Sequence, residues 1–509
     1  MKTPDLRFTV YTPCHEVTKA RSNKDRTSNM EYRITNAECR SKSLAPPSRA
    51  SFTSVLDIRY SLFVILLPLA ALCPFGYAQG MLGGQIRADA PAERASDVTM
   101  VAFAEPWTSP YRVDPNRPFQ VVNAEGKHLF ILNKTAWLYF GCKQPEAVLD
   151  RAVKQGVNVL RVSLEGRYYY ETVGIELWPW GGTRDSPVWD QFNQVYWDEV
   201  ERRIRMAGER GIGFDVVFYC TLTPSAAEIQ SQRAYWAYAL ERLGKYANIL
   251  TWEIANEYIK NEDLQRQVAG FFHENDPYNR PICTSDGTTD DAAWPDRPWL
   301  DLAVNHTCTS SSERHDLKDW YLALARNTRS HGKPAFCNES GRENRHGNND
   351  GVHRRKQGWL WCSAGGFWTW HSWDGCEGID DVNYAAPGQE FLKPMADFFR
   401  ALPFGELCPN YTGLTTDQPG IVWATLARPD RSVVVMYLCT RTTGQVAEAV
   451  VAQVRLPAGS YRVTLQRPSD LAVVLTIDHR SGGPNQSDRL VLPDFTDDMV
   501  VTVRKMGRF

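Results

Sequence analysis

Eight short apolar runs alternating with amphipathic segments predict an α/β chain built as a (β/α)8 (TIM) barrel over residues 127–402, with a small C-terminal antiparallel β-sandwich over 403–509. Three observations carry this reading. The alternation spans roughly 270 residues, the usual length of such a barrel. The runs are nearly continuous in apolar residues, as the strands of a parallel sheet buried on both faces must be. After Leu402 the pattern changes to short alternating runs separated by Pro, Gly and Asp, which reads as antiparallel strands and turns. A doubly wound sheet, the competing fold, would need a Gly-rich phosphate loop after its first strand, and "LNKTAWLYFG" is not one.

Taken in order, residues 1–58 are polar, rich in Arg, Lys, Ser and Thr, and without period, so they predict a disordered leader. Residues 59–78 combine Arg59, an apolar run from Leu62 to Phe75, and small residues ending at Ala78. That is the layout of a secretory signal cleaved after Ala78, with Pro68 and Pro74 arguing against a permanent membrane span. Its distance from Met1 places the true start downstream, at Met30 for example, or implies a long leader; export outside the cytoplasm is the expectation. Residues 79–126 are expected to be a linker and a hairpin sealing the barrel bottom.

The barrel strands are read as "HLFILN" (128–133), "VNVLRVS" (157–163), "IGFDVVFY" (212–219), "NILTWEIA" (248–255), "PICTSD" (281–286), "LDLAVNH" (300–306), "KPAFCNE" (333–339) and "GGFWTWH" (365–371). Helices are expected from Pro145 to Gly156, around Val200, Ile204 and Ala207 up to Gly211, and along the Trp236, Leu240, Leu243 stripe. In the last hundred residues, "SVVVMYLC", "GSYRVTLQRP" and "MVVTVRK" are among the strands of the sandwich.

A net charge of −2 gives no electrostatic case for nucleic acid or an anionic membrane as partner. Aromatic residues make up 12% of the chain and cluster in expected loops such as "GRYYYETVGIELWPW" and "FWTWHSW", where flat rings would suit the apolar faces of sugars. Of 12 cysteines, nine follow Ala78, an odd number that cannot pair completely; Cys362 and Cys376 are the nearest candidates for a disulfide. "HSWDGCEGIDD" is acidic but lacks calcium-ligand spacing, and histidines are not clustered for zinc, so neither metal nor cofactor is expected. The oligomeric state is open.

Barrels place catalytic groups at the C-terminal ends of strands. Strand 4 ends on Asn256-Glu257 and strand 7 on Glu339, so two carboxyls can face each other across the barrel mouth. Such a pair serves glycoside hydrolysis, one as acid for the leaving oxygen and one as carboxylate attacking the anomeric carbon. Arg161 on strand 2 and His306 on strand 6 are placed to keep the nucleophile ionised, while apolar surroundings and the neighbouring negative charge would keep the acid protonated. Asn256 can reach a sugar hydroxyl, and Trp370, Trp137 and Tyr219 are candidate subsite residues. Asp215 reads as structural, Glu343 as a polar-loop decoy, and His371 and Asp374 as subsite or loop residues.

With "LFILNKTAWLYF…QGVNVLRVSLEG" and "GKPAFCNESG", the chain resembles clan A glycoside hydrolases, and within them the apiosidase-like, cellulase-related group that carries a C-terminal β-domain of the collagen-binding type. The resemblance implies Glu257 as acid/base and Glu339 as nucleophile of a retaining enzyme acting on a polysaccharide or oligosaccharide. One departure is "LNKTAW", where an acidic residue is expected before the Thr. The alternative function is a non-catalytic carbohydrate-binding or adhesion protein on the same barrel.

Overall fold

The apolar runs fold into strands that are buried along their whole length, which explains why they lack polar alternation. The computed structural model describes residues 105–507 except 138, 166–177, 184–185, 221–223, 226, 258–260, 287–290, 308–317, 342–349 and 373–385. The leader, the signal-like segment, Glu343, Asp374 and Cys376 therefore lie outside the described residues.

The eight parallel strands are β1 (Leu132–Thr135), β2 (Val159–Ser163), β3 (Gly213–Tyr219), β4 (Ile249–Ala255), β5 (Ile282–Cys283), β6 (Ala303–His306), β7 (Ala335–Glu339) and β8 (Phe367–Trp370). Their order is β6-β7-β8-β1-β2-β3-β4-β5, a barrel whose ladder closes everywhere except between β5 and β6. There, among the described residues, Asp301 makes the link: its backbone N–H donates to Ile282 O at 2.8 Å, and its carboxylate accepts from Ile282 N at 2.9 Å.

Among the described residues, seven helices surround the sheet: α1 (Pro145–Lys154), α2 (Gln194–Gly208), α3 (Ile229–Leu243), α4 (Glu262–Asn275), α5 (Lys318–Ser330), α6 (Gly351–Ser363) and α7 (Leu392–Arg400). Local chemistry sets their starts. Pro145 stands at the first turn of α1. The side chains of Asn193, Asn261 and Asp350 accept from Tyr196 N, Leu264 N and Val352 N and cap α2, α4 and α6. Between β2 and α2 the chain adds an antiparallel hairpin, Trp180–Thr183 with Ser186–Phe192. At the N-terminal face, the hairpin Arg112–Asp114 with Arg117–Val122 follows Trp107, whose indole donates to Gly211 O at 2.9 Å. Its ring presses on Gly213 so closely that a Cβ there would meet it at 2.2 Å.

The C-terminal domain contains a six-stranded antiparallel sheet and smaller two- and three-stranded ones. Its strand Val433–Thr440 is buried at every residue because both faces are covered. Val434, Met436 and Leu438 enter the core of the β-domain, while Val435, Tyr437 and Cys439 join the barrel core. No described helix is long and apolar enough to cross a membrane.

Two expectations change here. The described tryptophans of the two stretches expected as loops, Trp178 and Trp180 at the hairpin and Trp368 and Trp370 on β8, are buried, and Trp180 packs on Trp178 and on Tyr235 of α3, so core packing explains them. Cys362 is a free, buried thiol on α6 and not half of a disulfide.

Candidate active site

Strands β4 and β7 and the loops after β1 and β4 converge on Arg161, which is buried on β2. Its Nε and Nη2 donate to the two oxygens of Glu253 on β4 at 2.7 and 2.6 Å. Nη1 donates to Glu339 Oε2 at the end of β7 at 2.9 Å, and Nη2 also reaches Asn256 Oδ1 at 2.8 Å. The ring of Trp137 covers the guanidinium at 4.5 Å. A bidentate fork of this kind fixes both carboxylates as well as charging the site.

Glu257 follows Asn256 in a left-handed backbone conformation, φ 53°, which a non-glycine residue adopts at a cost of order 1–3 kcal/mol. The kink ends the β4 ladder, whose last bond is Asn256 N to Tyr219 O at 2.8 Å, and turns the Glu257 side chain out to the solvent edge. Ser285 supports the kink. Its hydroxyl accepts from Glu257 N at 3.2 Å and donates to Glu253 Oε1 at 2.9 Å. Asn338 Nδ2 donates to the other oxygen of Glu253 at 3.1 Å.

His306, buried at the end of β6, faces both carboxylates, with Nδ1 3.3 Å from Glu257 Oε1 and 3.8 Å from Glu339 Oε2. One oxygen of Glu257, one oxygen of Glu339 and a ring nitrogen of His306 all lie within 4.8 Å of one another. Three such groups can hold a cation, but the Arg161 guanidinium already bonds the Glu339 carboxylate and would repel one. Burial pushes Glu257 up, yet the hydrogen bond from His306, its charge and those of Arg161 and His371 outweigh it and hold Glu257 down at about 2. Asp215, below Arg161, moves the other way: burial and the charge of Glu253 push it up to about 8, so it is protonated at neutral pH. Burial pushes His371 down to about 4, with its Nε2 3.5 Å from Glu339 Oε1.

The family of apiosidase-like catalytic domains matches residues 116–367, the stretch that supplies all of these side chains except His371. These residues form an apiosidase-like catalytic domain. The protein is a glycoside hydrolase at the level of its family. The fold agrees. A protein of Bacteroides vulgatus ATCC 8482 named as a candidate glycoside hydrolase superposes with a TM-score of 0.62 at 16% identity, over 78% of this chain and 82% of that one. A glycoside hydrolase family 5 protein from the same organism gives 0.60 at 16% identity, over 79% and 95%. No curated protein matches in sequence.

In the apiosidase-like barrel, Glu257, Glu339, Asn256, Arg161 and His306 come together, and Trp137 backs the cluster. Trp370 is buried beneath it, between Arg354 and Lys134, at 4.6 and 5.1 Å from its ring. Lys134, the departure from the expected acidic residue, is thereby used in packing and donates to Gln155 at 3.2 Å. Tyr219 does not join the cluster: its hydroxyl donates to Gln232 and accepts from Trp236, both on α3, which keeps it in the helix layer. The expected protonation pattern also changes, because His306 lies closer to the acid candidate than to the nucleophile candidate and lowers Glu257. Glu253 and Ser285 were missed. Glu253 carried a usable signal, since a carboxylate inside an apolar seven-residue strand needs a buried cation as partner.

Proposed function

We propose that the protein is a retaining glycoside hydrolase, with Glu339 as nucleophile and Glu257 as acid/base. The observation that supports this best is the facing pair: oxygens of the two carboxyls lie within 4.8 Å, compatible with the spacing of about 5–5.5 Å between carboxyl groups in retaining enzymes. In the first step Glu339, oriented by the hydrogen bond from Arg161, attacks the anomeric carbon as Glu257 gives its proton to the departing glycosidic oxygen. In the second, Glu257 takes a proton from water, which attacks the same carbon and releases Glu339, so configuration is kept. Glu257 must be loaded with a proton first. The imidazole Nδ1 of His306 is placed to supply it when a bound sugar covers the partly exposed Glu257 and strengthens the effect of burial. Asn256, held by Arg161, presents its amide nitrogen to the hydroxyl beside the reacting carbon.

A panel of aryl glycosides and polysaccharides, run with wild type, Glu257→Gln and Glu339→Gln, tests this. Turnover by the wild type that both variants lose supports the assignment, and azide rescue of Glu339→Ala should give a glycosyl azide of inverted configuration. Activity surviving in Glu339→Gln would remove Glu339 as nucleophile. Export follows as a second proposal from residues 59–78, tested by sequencing the mature N-terminus for a start at Gln79.

A further inference from the structure

Helix α6 carries five polar residues in succession, His353 to Gln357, and every residue from His353 to Ser363 is buried. The two faces of this helix meet different partners. Outward, Arg355 forms a bidentate pair with Asp498 of the β-domain at 2.7 and 2.9 Å, and Tyr437 donates to the same carboxylate at 2.9 Å. Lys356 donates to Thr440 Oγ1, Thr442 O and Asp497 Oδ1 at 2.9–3.0 Å. Trp359 stacks on Tyr437 with ring centroids 5.4 Å apart.

Inward, Arg354 gathers three connections of the barrel. Its guanidinium donates to Gly341 O at 2.9 Å, to Pro387 O at 3.2 Å and to His371 O. Gly341 lies two residues after Glu339, and His371 is the first residue after β8. These two connections are also tied to each other, since His371 N donates to Ser340 Oγ at 3.3 Å. The helix cannot retreat toward the sheet, because a Cβ at Gly358 would meet the Trp368 ring at 2.9 Å.

We propose that Arg354 is a positioning residue for the Glu339 end of the site, and that the β-domain, through Asp498 and Asp497, fixes the helix that carries it. The β-domain is then part of the catalytic scaffold. A planar fork can hold carbonyls in several directions at once, whereas a lysine in its place offers a point charge. This inference rests on the assignment of Glu339 as nucleophile.

The test uses the full chain, 2,4-dinitrophenyl glycosides and hydrogen–deuterium exchange. The dinitrophenolate leaves without a proton, so its burst release, whose rate constant is the first-step kcat compared below, reports on Glu339 and not on Glu257, which serves the second step. Arg354→Lys should lower kcat by on the order of 100-fold with KM nearly unchanged, as expected for a misplaced reacting group. Asp498→Asn, which contacts no substrate, should lower kcat in the same direction by a smaller factor. Both should speed exchange in 336–341 while leaving β2 and β3 protected. If Asp498→Asn does not fold, Asp497→Asn replaces it. Unchanged exchange in 336–341, or wild-type kcat in the β-domain variant, overturns the proposal. A wild type that turns over no glycoside would overturn the nucleophile assignment instead, and the exchange measurement would still decide the coupling.

Discussion

Glu253→Gln is the most informative single change in this barrel. The substitution keeps shape but removes the carboxylate that takes two charge-assisted hydrogen bonds from Arg161, at 2.7 and 2.6 Å. Breaking a buried pair by removing one partner costs about 3–5 kcal/mol, because a charge loses compensation, here leaving Arg161 with Glu339 as its carboxylate partner. For a cooperative unit of roughly 400 residues, with unfolding entropy of about 2.1 cal/mol/K per residue, that is a fall in Tm of about 4–6 °C. Asp215 modulates the loss. It is pushed up to about 8 by burial first and then by Glu253, so neutralising Glu253 lets Asp215 ionise and serve Arg161 in its place. The Tm deficit should therefore be smaller at pH 8 than at pH 6, and the double variant Asp215→Asn/Glu253→Gln should show the full deficit at both. Thermal unfolding at the two pH values measures this. Equal deficits in the single and double variants, or a Tm of Glu253→Gln matching wild type at pH 6, would refute the reasoning.

Asp215→Asn alone tests the raised Asp215: the folded state keeps a proton up to about 8 that the unfolded chain releases near 3.8. Wild-type stability should thus fall as pH rises from 4 to 8, and the variant should lose that slope in a pH series of denaturant midpoints. His306→Gln removes the group that holds Glu257 at about 2, so the alkaline limb of the kcat/KM profile should move to higher pH; an unmoved limb would show that His306 does not set the acid. Tyr219→Phe leaves Gln232 and Trp236 without their shared partner and should cost about 1–3 kcal/mol in urea unfolding, with KM unchanged.

Much of this was legible in the chain because buried parallel strands write themselves as apolar runs. "IGFDVVFY" and "NILTWEIA" became β3 and β4 to within a residue or two, and the strand-end Glu257 and Glu339 reached the same mouth. The runs read for strand 5 and for its connection gave less. β5 is two residues long, and among the described residues no helix separates it from β6. Helix α6 was opaque for another reason. Its charged run has no apolar stripe, and the partners that bury it, Asp497 and Asp498, lie more than 140 residues away. The place of Tyr219 against α3 could not be read, because a strand-end aromatic looks the same whether its hydroxyl meets a ligand or a neighbouring helix.

The open seam beside β5 has a thermal consequence. A two-residue strand joined to β6, among the described residues, through one aspartate is a place where local opening should be cheaper than global unfolding. Ser285 stands two residues beyond that strand, fastening Glu253 to the kinked backbone of Glu257. Warming should therefore loosen the acid/base before the fold melts, so activity should fade at temperatures where circular dichroism still reports a native protein.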